Sequence, residues 1–383
     1  MDKPTVQDIF HRFYPAYLDQ YSPSPVQAKV AHNIMNCKTG AYGANVCVCE
    51  DCGFVQIHYN SCRNRCCPMC QAVPKEMWMD ARREDVLDAP YFHLVFTVPD
   101  ILNPVIYSNQ RLLYDALYHA ASFTISELTA DPKHLGAKVG YICILHTWGS
   151  EMNFHPHIHT ILLGGGLTSN NQWKDNGENF FLPIRVISKV FRGKYLEELK
   201  RLWKEDKLVF HGTAEKFRNH YTFKELLDSC YGMDWIPHCK KTFNGAQTVI
   251  KYLGKYTHRI AVSNHRIVRM DDDTVTFLVK DYRNEGQWKE LTISGVEFVR
   301  RFLMHVPPRR FVRIRHYGLL CSRTKSQKLT LCRNLLGCKK YLSKLRDMEM
   351  PEILEHLYGI KVCVCKACGG HLGKPQMRMP LRC

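Results

Sequence analysis

Three histidines alternate with other residues along the segment FHPHIHTILLGGG, residues 154–166. Because alternate residues of a β-strand face the same side, His157 and His159 would project together, about 7 Å apart, and could bind one cation. His155 shares this parity and is a candidate third ligand, although Pro156 indicates a strand start or an edge there. Taken alone, such a pair is more often two ordinary histidines than a metal site.

A second pattern is the pair Tyr252 and Tyr256 in the segment KYLGKYTHR. Residues four apart lie on one face of a helix, so both phenols could reach a single site. In isolation the simpler interpretation is an aromatic pair in the core. Lys255 and Arg259 lie beside the tyrosines, however, and this cationic setting suits a phosphate better than a core.

Together these residues would suit cleavage of a phosphodiester bond. A divalent ion would polarise the phosphate while a tyrosine attacks it. The tyrosine would then hold the 5′ phosphate covalently and the 3′ hydroxyl would be kept for rejoining, so strand transfer would need no nucleotide cofactor. A second tyrosine would allow a second cleavage while the first remains occupied.

The cysteines form a third pattern. Two CxxC pairs, Cys49 with Cys52 and Cys67 with Cys70, are separated by fourteen residues, a spacing that predicts a four-thiolate zinc ribbon. The partition stays open, and a second ion is conceivable, because five further candidate ligands lie nearby: Cys37, Cys47, Cys62, Cys66 and His32.

A similar knuckle, Cys365 with Cys368, occurs near the C-terminus. Its two thiols cannot complete a tetrahedral site alone. Candidate partners for a further zinc site are Cys363, His371 and Cys383.

The charge of the chain predicts an anionic partner. Its 383 residues include 53 Lys and Arg against 36 Asp and Glu, a formal net charge of +17, which favours nucleic acid. The stretch from Phe298 to Arg346 holds fourteen positive charges and no acidic residue, together with several aromatic residues that could stack on bases. The predicted DNA-binding residues are Lys255, Arg259, Arg300, Arg301, Arg309, Arg310, Arg313 and Arg315.

Strand and helix patterns interleave along the chain and favour an α+β fold. The apolar runs at 140–148 and 154–166, joined by a short polar turn, predict an antiparallel hairpin. We expect an N-terminal helical and zinc-binding domain at 1–88, a central domain at 89–265 and a basic, Cys-tailed region at 266–383. The sequence has neither a long apolar run nor a signal-peptide layout, so we expect a cytoplasmic protein with reduced thiols.

Six separated segments resemble the IS91-type transposases, which are HUH endonucleases related to rolling-circle initiators and relaxases. They occur in the family's order and span nearly the whole chain. The segments are YNSCRNRCCPMCQ (59–71), FTVP (96–99), FHPHIHTILLGGG (154–166), KYLGKYTHRIAVSN (251–264), EFVRRFLMHVPP (297–308) and FVRIRHYGLL (311–320). One departure is Cys66, where the family is expected to have His, and a cysteine there can still bind zinc.

This resemblance implies a central antiparallel sheet with flanking helices, Tyr252 and Tyr256 as nucleophiles, and His157 and His159 as ligands of Mg²⁺ or Mn²⁺. It implies cleavage of single-stranded DNA at the ends of a mobile element, next to hairpins, and rolling-circle strand transfer. The third metal ligand is not fixed by the match. Candidates are His155, Glu151 and Gln247.

Three other functions fit parts of the pattern. A plasmid replication initiator or relaxase would use the same chemistry, but the N-terminal cysteine block argues against it. A catalytically silent, zinc-dependent DNA-binding protein would need only the basic and Cys-rich features. A metal hydrolase would use the three histidines with water and would form no covalent intermediate.

Overall fold

The computed structural model describes residues 3–176, 182–235, 237–243, 248–249, 254, 261–281, 285–374 and 376–378. Side chains are not described for 240–243 and 378. Several residues singled out in the sequence therefore lie outside the described residues: Gln247, Tyr252, Lys255, Tyr256, Arg259 and Cys383.

A sheet in which all the described strand pairs are antiparallel forms the centre of the fold. Its strands run in the order β11-β4-β5-β3-β7, and a short strand, β6, pairs with β5. Their bounds are β3 (Tyr91–Thr97), β4 (Lys138–Trp148), β5 (Phe154–Leu167), β6 (Trp173–Asp175), β7 (His238–Phe243) and β11 (Ile314–Gly318). The predicted hairpin is confirmed as β4 and β5, which are long, apolar and antiparallel.

Four helices cover one face of this sheet. They are α4 (Asn103–Ser108), α5 (Gln110–Ala130), α6 (Ile184–Lys204) and α7 (His220–Gly232). Side chains at alternate positions of β3, including Phe92, Leu94 and Phe96, enter the first hydrophobic core with these helices. In the described part of the chain, no helix is long and apolar enough to span a lipid bilayer.

The opposite face of the sheet carries the other set of alternating side chains. It packs against α3 (Ala72–Arg83) and α9 (Lys325–Leu336). Met79 of α3, Ile144 of β4 and Val249 belong to this second core. Because His157 and His159 have the opposite parity to Ile158, which enters the first core, they lie on this second face.

A third core joins the N-terminal helices to residues 261–306. It packs α1 (Val6–Gln20) and α2 (Pro25–Met35) against α8 (Gly295–Met304) and the meander of β8 (Ile267–Met270), β9 (Thr274–Asp281) and β10 (Gln287–Ser294). The Phe10 and Phe302 rings meet edge to face with centroids 5.2 Å apart. This core draws on residues from both outer predicted domains, whose boundaries at 88 and 265 stay predictions.

A small three-stranded sheet has the order β12-β1-β2. It consists of β1 (Ala44–Val48), β2 (Val55–Tyr59) and β12 (Gln376–Arg378). A further α-helix is α10 (Met350–Tyr358), and short 3-10 helices span Asp100–Leu102, Gly212–Arg218 and Asn264–Arg266. The predicted α+β class, with a central antiparallel sheet and flanking helices, is confirmed.

The β4–β5 turn, residues 149–153, is held by side chains that belong to α8 or lie next to the third core. Arg301 donates to the Glu151 carbonyl at 2.9 Å, and the buried Arg266 donates to the Ser150 carbonyl at 2.6 Å. The buried His305 donates from Nε2 to the Met152 carbonyl at 2.9 Å, so its Nδ1 accepts from the Thr147 hydroxyl at 3.1 Å. These contacts fix the hairpin tip.

His305 should make the fold sensitive to acid. Burial lowers the pKa of His305 to about 4, below the ordinary histidine value near 6.5, so the unfolded chain takes up the proton first. Its contribution is complete above pH 6.5 and is lost as the pH falls toward 4. We expect it to account for about 2 kcal/mol of the fall in unfolding free energy between pH 7.5 and pH 5.

Urea unfolding at both pH values tests this expectation. His305→Gln keeps a donor and an acceptor but cannot be protonated, and should show a smaller fall. The same substitution at the exposed His211 is the control and should behave as wild type. Equal pH dependence in His305→Gln and wild type would contradict the assignment.

Candidate active site and metal centres

Three histidines meet on the second face of the central sheet. His146 lies on β4, directly opposite His157 on β5, and His159 follows two residues later. One ring nitrogen from each of the three lies within 4.8 Å of the others, and all three side chains are buried. The structure thus brings together the predicted pair and adds a histidine from the neighbouring strand.

Hydrogen bonding fixes the tautomer of His157. Its Nδ1 is 2.7 Å from the His155 carbonyl oxygen, which can only accept, so Nδ1 carries the proton. The Nε2 lone pair therefore points to Nε2 of His159, 3.0 Å away. Two nitrogens that bind one ion at about 2.1 Å and at right angles are about 3.0 Å apart. The donor set fits a metal ion.

The pKa of His157 is lowered to about 4, mainly by burial and to a smaller extent by the neighbouring His155. The imidazole is therefore neutral at neutral pH. A neutral imidazole is the form that binds metals, because the ligand nitrogen must be unprotonated.

A fourth histidine, His93 of the neighbouring strand β3, contacts His159 of this group. Its Nε2 lies 2.9 Å from Nδ1 of His159, and the two rings stack with centroids 5.1 Å apart. A metal-binding histidine usually has such an outer partner on its second nitrogen, which orients the ring and sets the tautomer. His93 was not among the predicted ligands, although its period-2 position in the strand YFHLVFT puts it on the same face as His159.

The candidate third ligands differ from what the structure assembles. His155 is displaced toward solvent, where its Nδ1 lies 3.3 Å from an oxygen of Asp100. Glu151 is exposed in the β4–β5 turn, and Gln247 lies outside the described residues. His146 takes the place expected for these residues because a cross-strand partner lies about 5 Å away, nearer than the next side chain along the strand. The hairpin register could have indicated it.

The described residues nearest the predicted nucleophiles pack on this same face. Val249 is buried in the second core with Ile144 and Ile161. A Cβ added at Gly254 would lie 1.9 Å from the Met79 sulfur, so residue 254 lies against the Met79 side chain of α3. Tyr252 and Tyr256 themselves lie outside the described residues.

The expected single zinc ribbon is not what the structure forms. Its two CxxC pairs separate into different four-thiol groups, and in each group the ligand sulfurs lie within 4.8 Å of one another. Cys67 and Cys70 meet Cys37 and Cys62, with Cys37 and Cys70 sulfurs 3.2 Å apart. We call this the inner cysteine site.

The second group, which we call the outer cysteine site, joins Cys49 and Cys52 to the C-terminal Cys365 and Cys368. The correction has a physical reason: a CxxC knuckle supplies half of a tetrahedral site, and its own sequence does not say which other half it meets. Cys66 belongs to neither group. It is buried, and burial raises the pKa of its thiol, as expected for a neutral core cysteine.

Several predicted DNA-binding arginines form ion pairs with carboxylates of the protein itself. Arg300 and Arg301 both pair with Glu297, at 2.6 and 2.7 Å. Arg315 pairs with Asp115 and lies over the Tyr118 ring.

Three more of these arginines lie between α8 and β11. The Arg313 guanidinium lies 5.7 Å from the centroid of the Trp148 ring. Arg309 and Arg310 are exposed. Within the described part of the predicted set, these two arginines are therefore the most accessible to a nucleic acid.

Comparison with known proteins gives two family matches. The family described as "Putative transposase" matches residues 140–328, and the "Transposase zinc-binding domain" family of IS91 matches residues 9–98. Conjugative relaxase TrwC in complex with oriT DNA is a structural match at 14% identity. The metal-free complex has a TM-score of 0.25 and covers 43% of this chain and 71% of its own; the copper-bound complex has 0.26, 67% and 96%.

Two sequence relatives span most of the chain. "Putative transposase y4qJ" of Sinorhizobium fredii is 40% identical over 95% of this chain and 93% of its own length. The transposase for insertion sequence element IS801 of Pseudomonas savastanoi pv. phaseolicola is 30% identical over 79% and 72%. On these relatives and the zinc-binding domain match, the chain belongs to the IS91 family of transposases.

Proposed function

We propose that this transposase cuts one DNA strand at the ends of its mobile element with Tyr252 and Tyr256, through a 5′-phosphotyrosine, and transfers the strand by a rolling-circle route. The observation that carries the proposal is the buried cluster of His146, His157 and His159. Its face of the sheet is also the face on which Val249 packs.

The three imidazoles would hold the divalent ion. Bound there, the ion would offset the negative charge that develops on the phosphate oxygens. The donor set is all nitrogen, which suits Mn²⁺ better than Mg²⁺, because Mg²⁺ prefers oxygen ligands and water. We therefore expect Mn²⁺ to support cleavage at lower concentration than Mg²⁺.

The tyrosine would perform the covalent step. The phenol loses its proton to water, its oxygen forms a bond to phosphorus, and the bond to the deoxyribose 3′ oxygen breaks as that oxygen gains a proton. The phosphodiester is replaced by a phosphotyrosine ester, so its bond energy is conserved for rejoining. The second tyrosine would cut again before the first is released.

Single-stranded DNA is the proposed partner, bound next to hairpins at the element ends. Arg309 and Arg310 precede β11, the strand that pairs with β4. Both are exposed and pair with no carboxylate among the described residues, so they would be able to neutralise phosphates. Lys255 and Arg259 would add charge beside the tyrosines.

The phosphotyrosine test uses a labelled hairpin-flanked single strand and Mn²⁺. We expect an SDS-resistant adduct with wild-type protein and none with the double variant Tyr252→Phe plus Tyr256→Phe, because phenylalanine has no attacking oxygen. Tyr221→Phe is the matched control, since Tyr221 is 76% exposed on α7 and should keep the adduct.

Two outcomes would contradict this proposal. Cleavage that persists in the double variant without an adduct would indicate a metal hydrolase that uses water. DNA binding without cleavage by wild-type protein, on both hairpin-flanked element ends and with either ion, would indicate a silent zinc-dependent binding protein.

The metal site can be tested separately by Mn²⁺ titration. His93→Ala should weaken Mn²⁺ binding roughly 10–100-fold, because His159 loses its orienting partner. His146→Ala should weaken it further, since a ligand itself is lost, whereas His155→Ala should leave it unchanged. Tight binding in His146→Ala combined with lost binding in His155→Ala would overturn this ligand set.

A further inference from the structure

The outer cysteine site is built from the two ends of the chain. Cys49 and Cys368, 319 positions apart, bring their sulfurs within 3.5 Å, and Cys52 and Cys365 bring theirs within 3.8 Å. Four thiolates bound to one zinc ion at about 2.3 Å form a tetrahedron with sulfurs about 3.8 Å apart. The spacing therefore fits one shared ion.

The C-terminal half of this site has the backbone geometry of a metal knuckle. The amide of Ala367 donates to the Cys365 sulfur and that of Gly370 to the Cys368 sulfur, both at 3.4 Å. Such bonds stabilise thiolates. Gly369 turns the chain with φ +77°, a conformation that favours glycine.

The two halves are also joined by backbone pairing. The amide of Glu50 donates to the His371 carbonyl at 3.1 Å, and that of Gly373 to the Val48 carbonyl at 2.9 Å. Strand β12 then pairs antiparallel with β1. The two CxxC segments thus face each other inside a single small sheet.

Between the central sheet and this site, the chain crosses α3. Asp80 of α3 accepts hydrogen bonds from the Tyr341 hydroxyl at 2.7 Å, the Ser343 hydroxyl at 2.5 Å and the Leu345 amide at 3.0 Å. Arg346 pairs with Glu84 at 2.5 Å. We call residues 339–378 the C-terminal strap.

Helix α3 in turn meets the segment near the predicted nucleophiles. Met79, next to Asp80, is the residue that a Cβ at Gly254 would strike. His356 and Leu357 of the strap line a small cavity with Met79 and Asp80. The strap and residue 254 therefore contact the same turn of α3.

We propose that Cys49, Cys52, Cys365 and Cys368 bind one zinc ion, the clamp zinc, which fastens the C-terminal strap over α3. The strap is thereby part of the N-terminal zinc-binding unit and a brace for the second face of the central sheet. This inference goes beyond DNA transfer and does not depend on it.

Zinc counting by native mass spectrometry tests whether the ion is shared. Wild-type protein should carry one zinc ion at each cysteine site, in addition to any zinc held by the three imidazoles. The pair Cys49→Ser plus Cys52→Ser, the pair Cys365→Ser plus Cys368→Ser, and all four changes together should each lower the zinc count by one. Cys363→Ser, two residues from a ligand but outside the site, is the control and should keep the wild-type count.

Separate ions at the two knuckles would give a different result. The four changes together would then remove two zinc ions where each pair removes one, and the shared clamp would be overturned. A zinc count unchanged in both pairs would overturn the site itself.

A second measurement uses the unaltered protein and so does not depend on variants folding. Three cysteines near this site are exposed: Cys52, Cys363 and Cys368. Of these three, iodoacetamide should alkylate only Cys363 while zinc is bound. A chelator should make Cys52 and Cys368 reactive together, and hydrogen exchange should rise in 341–346 and α3. Alkylation of one knuckle before the other, or unchanged exchange in the strap, would contradict the clamp.

Discussion

The register of the β4–β5 hairpin is the constraint on which the histidine site depends. His146 meets His157 because the two strands pair at that residue, and a slip of one position would turn His146 to the helix-covered face. The turn that sets this register accepts hydrogen bonds at its backbone carbonyls from Arg266, Arg301 and His305. Residues that follow and precede the central domain therefore support the central sheet through this turn.

This dependence changes the meaning of the positive charge. Part of the basic stretch is structural: Arg301 holds the turn and pairs with Glu297, and Lys325 pairs with the buried Asp85 at 2.7 Å. A charge already paired contributes less to the field felt by DNA, because its partner cancels it nearby. The proposed binding of phosphate therefore rests on fewer side chains than the sequence count indicates, among them the exposed Arg309 and Arg310.

Local periodicity predicted what is local. Alternation along 154–166 gave the strand and the common face of His157 and His159, and the apolar runs gave the hairpin. His146 and His93 were not predicted from the sequence, because their place in the site depends on which strands are neighbours and on the register in which those strands pair. The cysteines show the same limit: each CxxC knuckle was recognisable, but the partnership of Cys49 with Cys368 is a property of the folded chain ends.

The small zinc-binding sheet explains why thiolates and not packing must hold those ends. Among the described residues, its buried cluster consists of Cys47, Cys49, Cys365 and Leu372, far too little apolar surface to offset the entropy of ordering three short strands. Metal binding can supply that free energy, since a site absent from the unfolded chain adds its binding energy to folding. Thiolates select zinc over Mn²⁺ or Mg²⁺, and the three imidazoles lie apart from them on the central sheet. The cysteines can thus stabilise the frame without competing for the ion that the histidines would hold.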